Sequence, residues 1–488
     1  MRSALEVDGR TLAREVDPRF EEAWLIQAGM GVGVSNWALA NKTARRDGVI
    51  GTVSGVVAQD IVVRTLQKGD PGQHMRRALA HFPFPEVEKE IVDKFYVEGG
   101  IPESAKFRGY PVFNLRPSPE LQKFMIASNF ALVWLAKEGH SGLVSVNYLE
   151  KIQMTHIYYI FGAMLAGVDI VTMGAGIIKR IPGLLDVIAS GGIPSYRVRI
   201  EDETDPEKVM HLVSFNPAEL FGAEIPLMKR PALLSIVSSG TLAESLLKTK
   251  GIDGFVIEGP TAGGHNPPPR GSKVALDELG QPIYGERDKV DLAKFREFGL
   301  PFWLAGSYAS PEGLAKALAE GAAGIQCGSL FALCDTSGMR DDLRRQARRL
   351  GYHGKLEVRT TLRSPTGYPF KVAMLSGTMS DDLVYREREE SGRSCSICSL
   401  RNPFRGEDGK IGYRCSSEPI DNFVKKGGSR AEAEFKLCLC NALLATVGLG
   451  NPGERPVVTM GDDVSFLPHL MREENDSYTA DDAIDWLL

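Results

Sequence analysis

The stretch GIDGFVIEGPTAGGH, Gly251–His265, decides the reading of the fold. Its first half is a continuous apolar run, the pattern of a strand buried on both faces, and its second half is a glycine-rich turn that ends on a histidine. Seven further runs of the same kind surround it: Trp24–Met30, Val49–Ser54, Leu143–Leu149, Asp169–Ala175, Ala232–Ser239, Phe302–Gly306 and Gly324–Phe331. With Gly254–Gly259 they make eight expected strands separated by helical patterns. That number favours an α/β fold closed as a TIM (β/α)8 barrel over an open doubly wound sheet. Most of these runs end in glycine or small polar residues, which in a barrel gathers tight turns on one rim.

Two intervals exceed ordinary barrel connections, about 55–140 and 178–229, and are expected to carry structure or function of their own. The first holds an acidic, helical-looking stretch at Pro85–Lys94, and the second, YRVRIEDETDPEKVMHLVSF, suits a hairpin. The expected division is a barrel over residues 20–375 and a C-terminal extension over 376–488, where the strand–helix rhythm stops. The last residues, DSYTADDAIDWLL, read as a capped final helix.

At 488 residues, with 43% hydrophobic and 24% charged side chains, the chain can hold one domain of more than about 250 residues plus a smaller unit. The opening MRSALEVDGRTLAREVD carries acids where a secretory leader has its apolar run, and nowhere do about 18 uncharged apolar residues follow one another. A cytoplasmic location without membrane association is therefore expected. A formal net charge of −5 and the absence of basic clusters interleaved with aromatics point away from nucleic acid. Small molecules and acyl carriers fit better.

His265 is the candidate catalytic residue. An imidazole titrates near neutrality, and the preceding Gly263 and Gly264 allow a planar ligand to approach closely. Glu258, just before the turn, can orient a group. At the end of the first strand, Ala28, Gly29 and Met30 bring a polarizable side chain to a tight turn, and Gly174 ends the fourth strand in the same way. Gly306–Ser307 and Gly328–Ser329 follow the seventh and eighth strands, where barrels often hold phosphate on backbone N–H groups. His156 reads as a helix-packing residue, and Lys179 and Lys371 as solvated surface lysines.

IQAGMGVGVSN, VTMGAGI, GFVIEGPTAGGH, PFWLAGSYASPEGLAKALAEGAAGIQCGSLF and RSPTGYPFKVAML together resemble the nitronate monooxygenase (2-nitropropane dioxygenase) family, which includes FMN-dependent enoyl-acyl-carrier-protein reductases. The resemblance covers roughly Leu25 to Leu375. It implies noncovalent FMN at the carboxyl ends of the strands, with His265 beside flavin and substrate and the Gly306 and Gly328 turns at the phosphate. It implies either oxidation of alkyl nitronates, the first expectation, or NAD(P)H-dependent reduction of an enoyl thioester, with acyl carrier protein as the partner in the second case. An inactive barrel serving as an interaction scaffold is the non-enzymatic alternative, and a homo-oligomer is compatible with all three. The sequence departs from the family in Ser307, where a second glycine is common, and in the stiff NPPPRG after the histidine.

Five of the seven cysteines fall after residue 390: Cys395 and Cys398 in SCSIC, Cys415 in GYRCSSEP, and Cys438 and Cys440 in KLCLCN. In a cytoplasmic chain two close pairs with a fifth thiol between them favour a metal, held by four of the five, over stable disulfides. Zinc, an iron-sulfur cluster, a redox thiol pair and reduced structural cysteines are the readings the spacing leaves open. Cys327 and Cys334 read as small buried hydrophobes.

Overall fold

The structure is a computed structural model that describes residues 5–7, 10–12, 17–271 and 274–488. The N-terminal stretch read above for a leader lies largely outside these residues. Eight parallel strands close into a barrel in sequence order: β1 (Leu25–Gln27), β2 (Val49–Ser54), β3 (Val144–Leu149), β4 (Ile170–Gly174), β5 (Ala232–Val237), β6 (Gly254–Glu258), β7 (Phe302–Ala305) and β8 (Gly324–Cys327). Closure comes from β8 pairing with β1, Gln326 opposite Ile26. All eight expected strands are present. Several are shorter at the carboxyl end than their apolar runs, because the chain leaves the sheet where the small residues begin. Gly328 turns the chain out of β8, and Ser329–Ala332 is a helical turn where strand was expected.

The barrel is filled and floored by apolar side chains. Ile26, Ile50, Ile170, Leu234, Val256 and Trp303 form an interior cluster that Phe20 joins from below. Trp303 is fully buried, packs 5.3 Å from the Phe20 ring centroid, and donates its indole N–H to Ala23 O at 2.7 Å. A buried indole needs that acceptor. The opposite strand faces are covered by helices, of which Pro119–Lys137 between β2 and β3 is the longest among the described residues.

Both long intervals are structured. The first contains helices Ala58–Gln67, His74–Leu79 and Pro85–Phe95, the last on the acidic stretch read from the sequence. The second contains helix Ile181–Ala189 and the expected hairpin, Ser195–Arg199 against Met210–Ser214. The final helix, Ala480–Leu487, has Thr479 as N-cap with Asp482 completing a capping box.

Beyond β8 the chain returns to the rim. The strands β9 (Val358–Thr361) and β10 (Phe370–Ala373) form an antiparallel hairpin, and His265 bridges to Phe370 beside it. Leu437, Leu439, Leu444, Val457, Val458 and Met460 share the core that surrounds the barrel. Lys371 corrects the surface reading. It lies in β10 with its side chain 4% exposed, its ammonium 2.7 and 2.8 Å from the Asp462 carboxylate and 2.9 Å from Thr360 Oγ1. The ion pair ties the C-terminal segment to the hairpin. Lys179 borders a separate cavity beside Arg180 and Lys250.

Candidate active site

The carboxyl ends of the strands surround a cavity of about 210 Å³. Every residue singled out on the rim borders it: Ala28, Gly29, Met30, Gly174, Glu258, Gly263, Gly264, His265, Gly306, Ser307, Gly328 and Ser329. Sequence reading missed a second set. Asn147 enters from just inside the end of β3, and Thr459, Met460, Gly461 and Asp463 come from near the C-terminus.

The first turn is held open by Ser35. Its hydroxyl accepts from Met30 N at 2.9 Å and from Gln27 Nε2 at 2.8 Å, and donates to Ala28 O at 2.6 Å. Gln27 in turn accepts from Thr52 N at 2.9 Å, so the loop is braced against β2. Asn147 packs against Gly29, where a Cβ would fall 2.2 Å from Asn147 Cβ. Its Oδ1 is buried with no hydrogen-bond partner. An orphaned acceptor bordering a cavity is costly unless a ligand supplies a donor.

The glycines before His265 serve a purpose the sequence did not show. At Gly263 a Cβ would meet the Met460 carbonyl carbon at 2.7 Å, and at Gly461 one would meet Thr261 O at 2.8 Å. Two backbones therefore cross in contact. Gly264 N donates to Thr459 Oγ1 at 3.0 Å and Asp462 N to Thr261 O at 3.1 Å, while Gly461 N donates to Ser329 Oγ at 2.8 Å. Against the same turn, where a Cβ on Gly306 would meet Thr261 Oγ1 at 2.8 Å, Gly306 has φ +96° and Ser307 φ +58°, a left-handed turn that a glycine would adopt without strain but serine must be held in.

His265 is clasped by the hairpin. Lys371 N donates to Gly264 O and Asn266 N to Pro369 O, both at 2.9 Å, and the ring packs 4.8 Å from the Phe370 centroid. Its Nε2 lies 2.9 Å from Ser364 Oγ, which is 2.7 Å from Thr366 Oγ1. Ser364 thus touches the candidate histidine, a contact made by the hairpin and not by any local spacing. Burial, aided by the nearby Lys151 ammonium, pushes the His265 pKa down to about 4. The imidazole is neutral at physiological pH.

Glu258 carries the opposite shift. Burial pushes its pKa up to about 7, and no hydrogen bond reaches its carboxyl among the described residues. It is a carboxyl that exchanges its proton near neutrality at the edge of a cavity, the usual tuning of a general acid or base. His156 is buried and neutral, its Nε2 3.1 Å from Glu150 O, in keeping with a packing role. Cys327 and Cys334 are buried, as expected.

The late cysteines lie apart from this cavity's lining. All are free thiols, with Cys395 Sγ and Cys398 Sγ 3.4 Å apart. Among the described residues no group of three or more His, Cys, Asp or Glu side chains could hold a metal ion. Nor is any described helix long and apolar enough to cross a membrane.

The family model described as nitronate monooxygenase matches residues 185–374, from the helix after β4 through β10. The match spans Glu258, His265, both late glycine turns and the hairpin over the histidine. No curated protein sequence matches the chain. Solved structures similar to it include FabK from Thermotoga maritima, 15% identical with a TM-score of 0.47 over 98% of this chain and 95% of that one. The enoyl reductase domain of MlnA from the macrolactin biosynthesis cluster of Bacillus amyloliquefaciens is 12% identical, with a TM-score of 0.47 over 97% and 96%. Nitroalkane oxidase from Streptomyces ansochromogenes is 12% identical, with a TM-score of 0.43 over 96% of each chain.

Proposed function

We propose that the chain is an FMN-dependent oxidoreductase that reduces an electron-poor C=C bond conjugated to an acyl thioester. The observation that carries this reading is Glu258, a carboxyl poised near pH 7 at the edge of the cavity. The donor set fits the cofactor. Asn147 Oδ1 lacks a donor, and among the described residues the backbone N–H groups of Ser307 and Gly328 give to no acceptor. Asn147 would face the ring system, and the turns at Gly306–Ser307 and Gly328–Ser329 the phosphate.

FMN held there would supply hydride chemistry, with NAD(P)H as the proposed source of the hydride. Saturating an enoyl thioester also needs a proton on the neighbouring carbon, and Glu258 can deliver it, since its acid form is well populated at neutral pH. His265, neutral and fixed by Ser364 and Phe370, offers a hydrogen bond to the thioester carbonyl without presenting a charge. The segment Thr459–Gly461 closes over the turn at Gly263 and limits water on that side. An acyl carrier protein is the proposed bearer of the thioester.

Nitronate oxidation is the second reading. It is favoured by the family description and by Lys151, close enough to act on His265 and 4.7 Å over the Tyr368 ring, where an anion could be held. Parallel turnover assays separate the two. With NADPH or NADH, a crotonyl thioester should be reduced at least tenfold faster than an alkyl nitronate is oxidised in air. The reverse ranking would overturn the reductase reading in favour of the second.

A further inference from the structure

A second cavity, of about 270 Å³, lies against the rim cavity and takes no part in the chemistry above. Its apolar wall is assembled from distant parts of the chain. Helix Ala58–Gln67 supplies Ile61, helix His74–Leu79 supplies Met75, the long helix Pro119–Lys137 supplies Leu132, and the C-terminal segment supplies Val447 and Leu449. Most of it is therefore built by the long interval between β2 and β3.

The cavity continues the site. Ser54, at the end of β2, borders both spaces. Leu443, on helix Leu439–Thr446, borders the rim cavity, and Val447, one turn on, borders the second, so a single helical face serves both. The turn after β1 runs between them. Val32 borders the rim cavity and Gly33 the second, and Gly33, with φ +69°, lies so close to both walls that a Cβ there would fall 3.3 Å from Ile61 Cδ1 and 3.6 Å from Val447 Cγ2.

The chemistry of the wall suits an uncharged chain. Among the described residues that line it there is no Lys, Arg, Asp or Glu. Three of its polar side chains are already engaged. Ser35 Oγ is held by Met30 N and Ala28 O, Asn36 Oδ1 accepts from Leu39 N at 2.7 Å, and His74 Nδ1 accepts from Arg77 Nη2 at 3.0 Å. The phosphates of a dinucleotide would find no counter-charge here. Ile61 and Val447, both half-buried, instead leave apolar surface for a ligand to cover.

Direction points the same way. In the ring of eight strands β2 stands opposite β6. A thioester whose carbonyl meets His265, just beyond β6, and which crosses the rim cavity therefore brings its far end to Ser54.

We propose that this cavity binds the hydrocarbon tail of an enoyl thioester and makes the protein select longer acyl chains over the crotonyl group, an inference that rests on the reductase reading above. The tail passes Ser54 and lies among Ile61, Met75, Leu132, Val447 and Leu449.

Calorimetry of the protein as purified, with saturated pantetheine thioesters that have no double bond to reduce, reads this site apart from turnover. Octanoyl-pantetheine is expected to bind at least about tenfold tighter than butyryl-pantetheine, since each buried methylene is worth up to about fourfold in affinity. Val447→Trp fills the cavity beside Gly33 and should bring the two ligands within about threefold of each other. Should that variant fail to fold, Ile61→Phe enters the same space from the opposite wall and carries the same expectation. Equal binding of the two thioesters by the wild type, binding of neither, or a preference for octanoyl retained by the folded variant would each overturn the inference. Crotonyl thioester left unreduced by protein that prefers octanoyl-pantetheine, with the preference lost in the variant, would overturn the reductase reading and leave the tail site standing.

Discussion

The two ends of the barrel are built from the same strands and differ in almost every physical respect. In β7, Trp303 fills the floor, fully buried and with its one polar atom satisfied by Ala23 O. Three residues on, Gly306 and Ser307 form a left-handed turn at a cavity. In β6, Val256 is in the interior cluster, whereas Glu258 is a carboxyl whose pKa is pushed to about 7. The floor satisfies its polar atoms and packs its apolar ones. At the rim, Asn147 Oδ1 has no partner and a carboxyl is kept from its preferred charge. Free energy of folding is gained at one end and given up at the other, the division expected of a barrel whose rim carries the proposed site.

The largest test of this contrast is Glu258→Gln. It should lower turnover on an enoyl thioester by about 10²–10⁴-fold, the usual range for a general acid, while folding is retained. The wild-type rate should fall as pH rises through about 7 with loss of the acid form, and that limb should vanish in the variant. Stability carries the same signature. The folded carboxyl holds a proton that the unfolded one releases near 4.5, so this group's contribution weakens as pH rises from about 4.5 toward 7. Glu258→Gln should flatten that slope in urea titrations. His265 has the opposite sign: its contribution weakens as pH falls from about 6.5 toward 4, because the unfolded imidazole takes up a proton first.

At the floor, Trp303→Ala should cost about 3–5 kcal/mol in urea unfolding, with kcat per folded molecule little changed. A selective loss of turnover there would break the contrast. Lys371→Met strips Asp462 of its partner and should destabilise by about 1–3 kcal/mol, with a raised KM because Gly461 and Asp463 border the cavity. Ser364→Ala removes one hydrogen bond from His265, an effect of about 1 kcal/mol, read as a several-fold fall in kcat with unchanged thermal stability.

The barrel was legible because strands buried on both faces leave unbroken apolar runs, and because the chain leaves the sheet at glycines. Twelve rim residues were legible for the same reason: position at a strand end fixes which face of the barrel a residue reaches. What stayed hidden depends on contacts between distant parts of the chain. Thr261 and Asp462 meet across 200 intervening residues, and no local pattern announces it. One signal was available: VTMG at Val171–Gly174, which ends β4 at the rim, recurs at Val458–Gly461. Lys371 looked solvated because its partner is equally remote, and Ser364 looked idle because a hairpin brings it to His265.

The most direct test of the account is the absorption spectrum of protein purified without oxygen, taken before and after NADH or NADPH and then after a crotonyl thioester. Oxidised flavin bands that bleach with the nicotinamide and return with the thioester are the predicted result. Protein that carries no flavin, and takes up none when FMN is added, would contradict the assignment of the rim cavity itself.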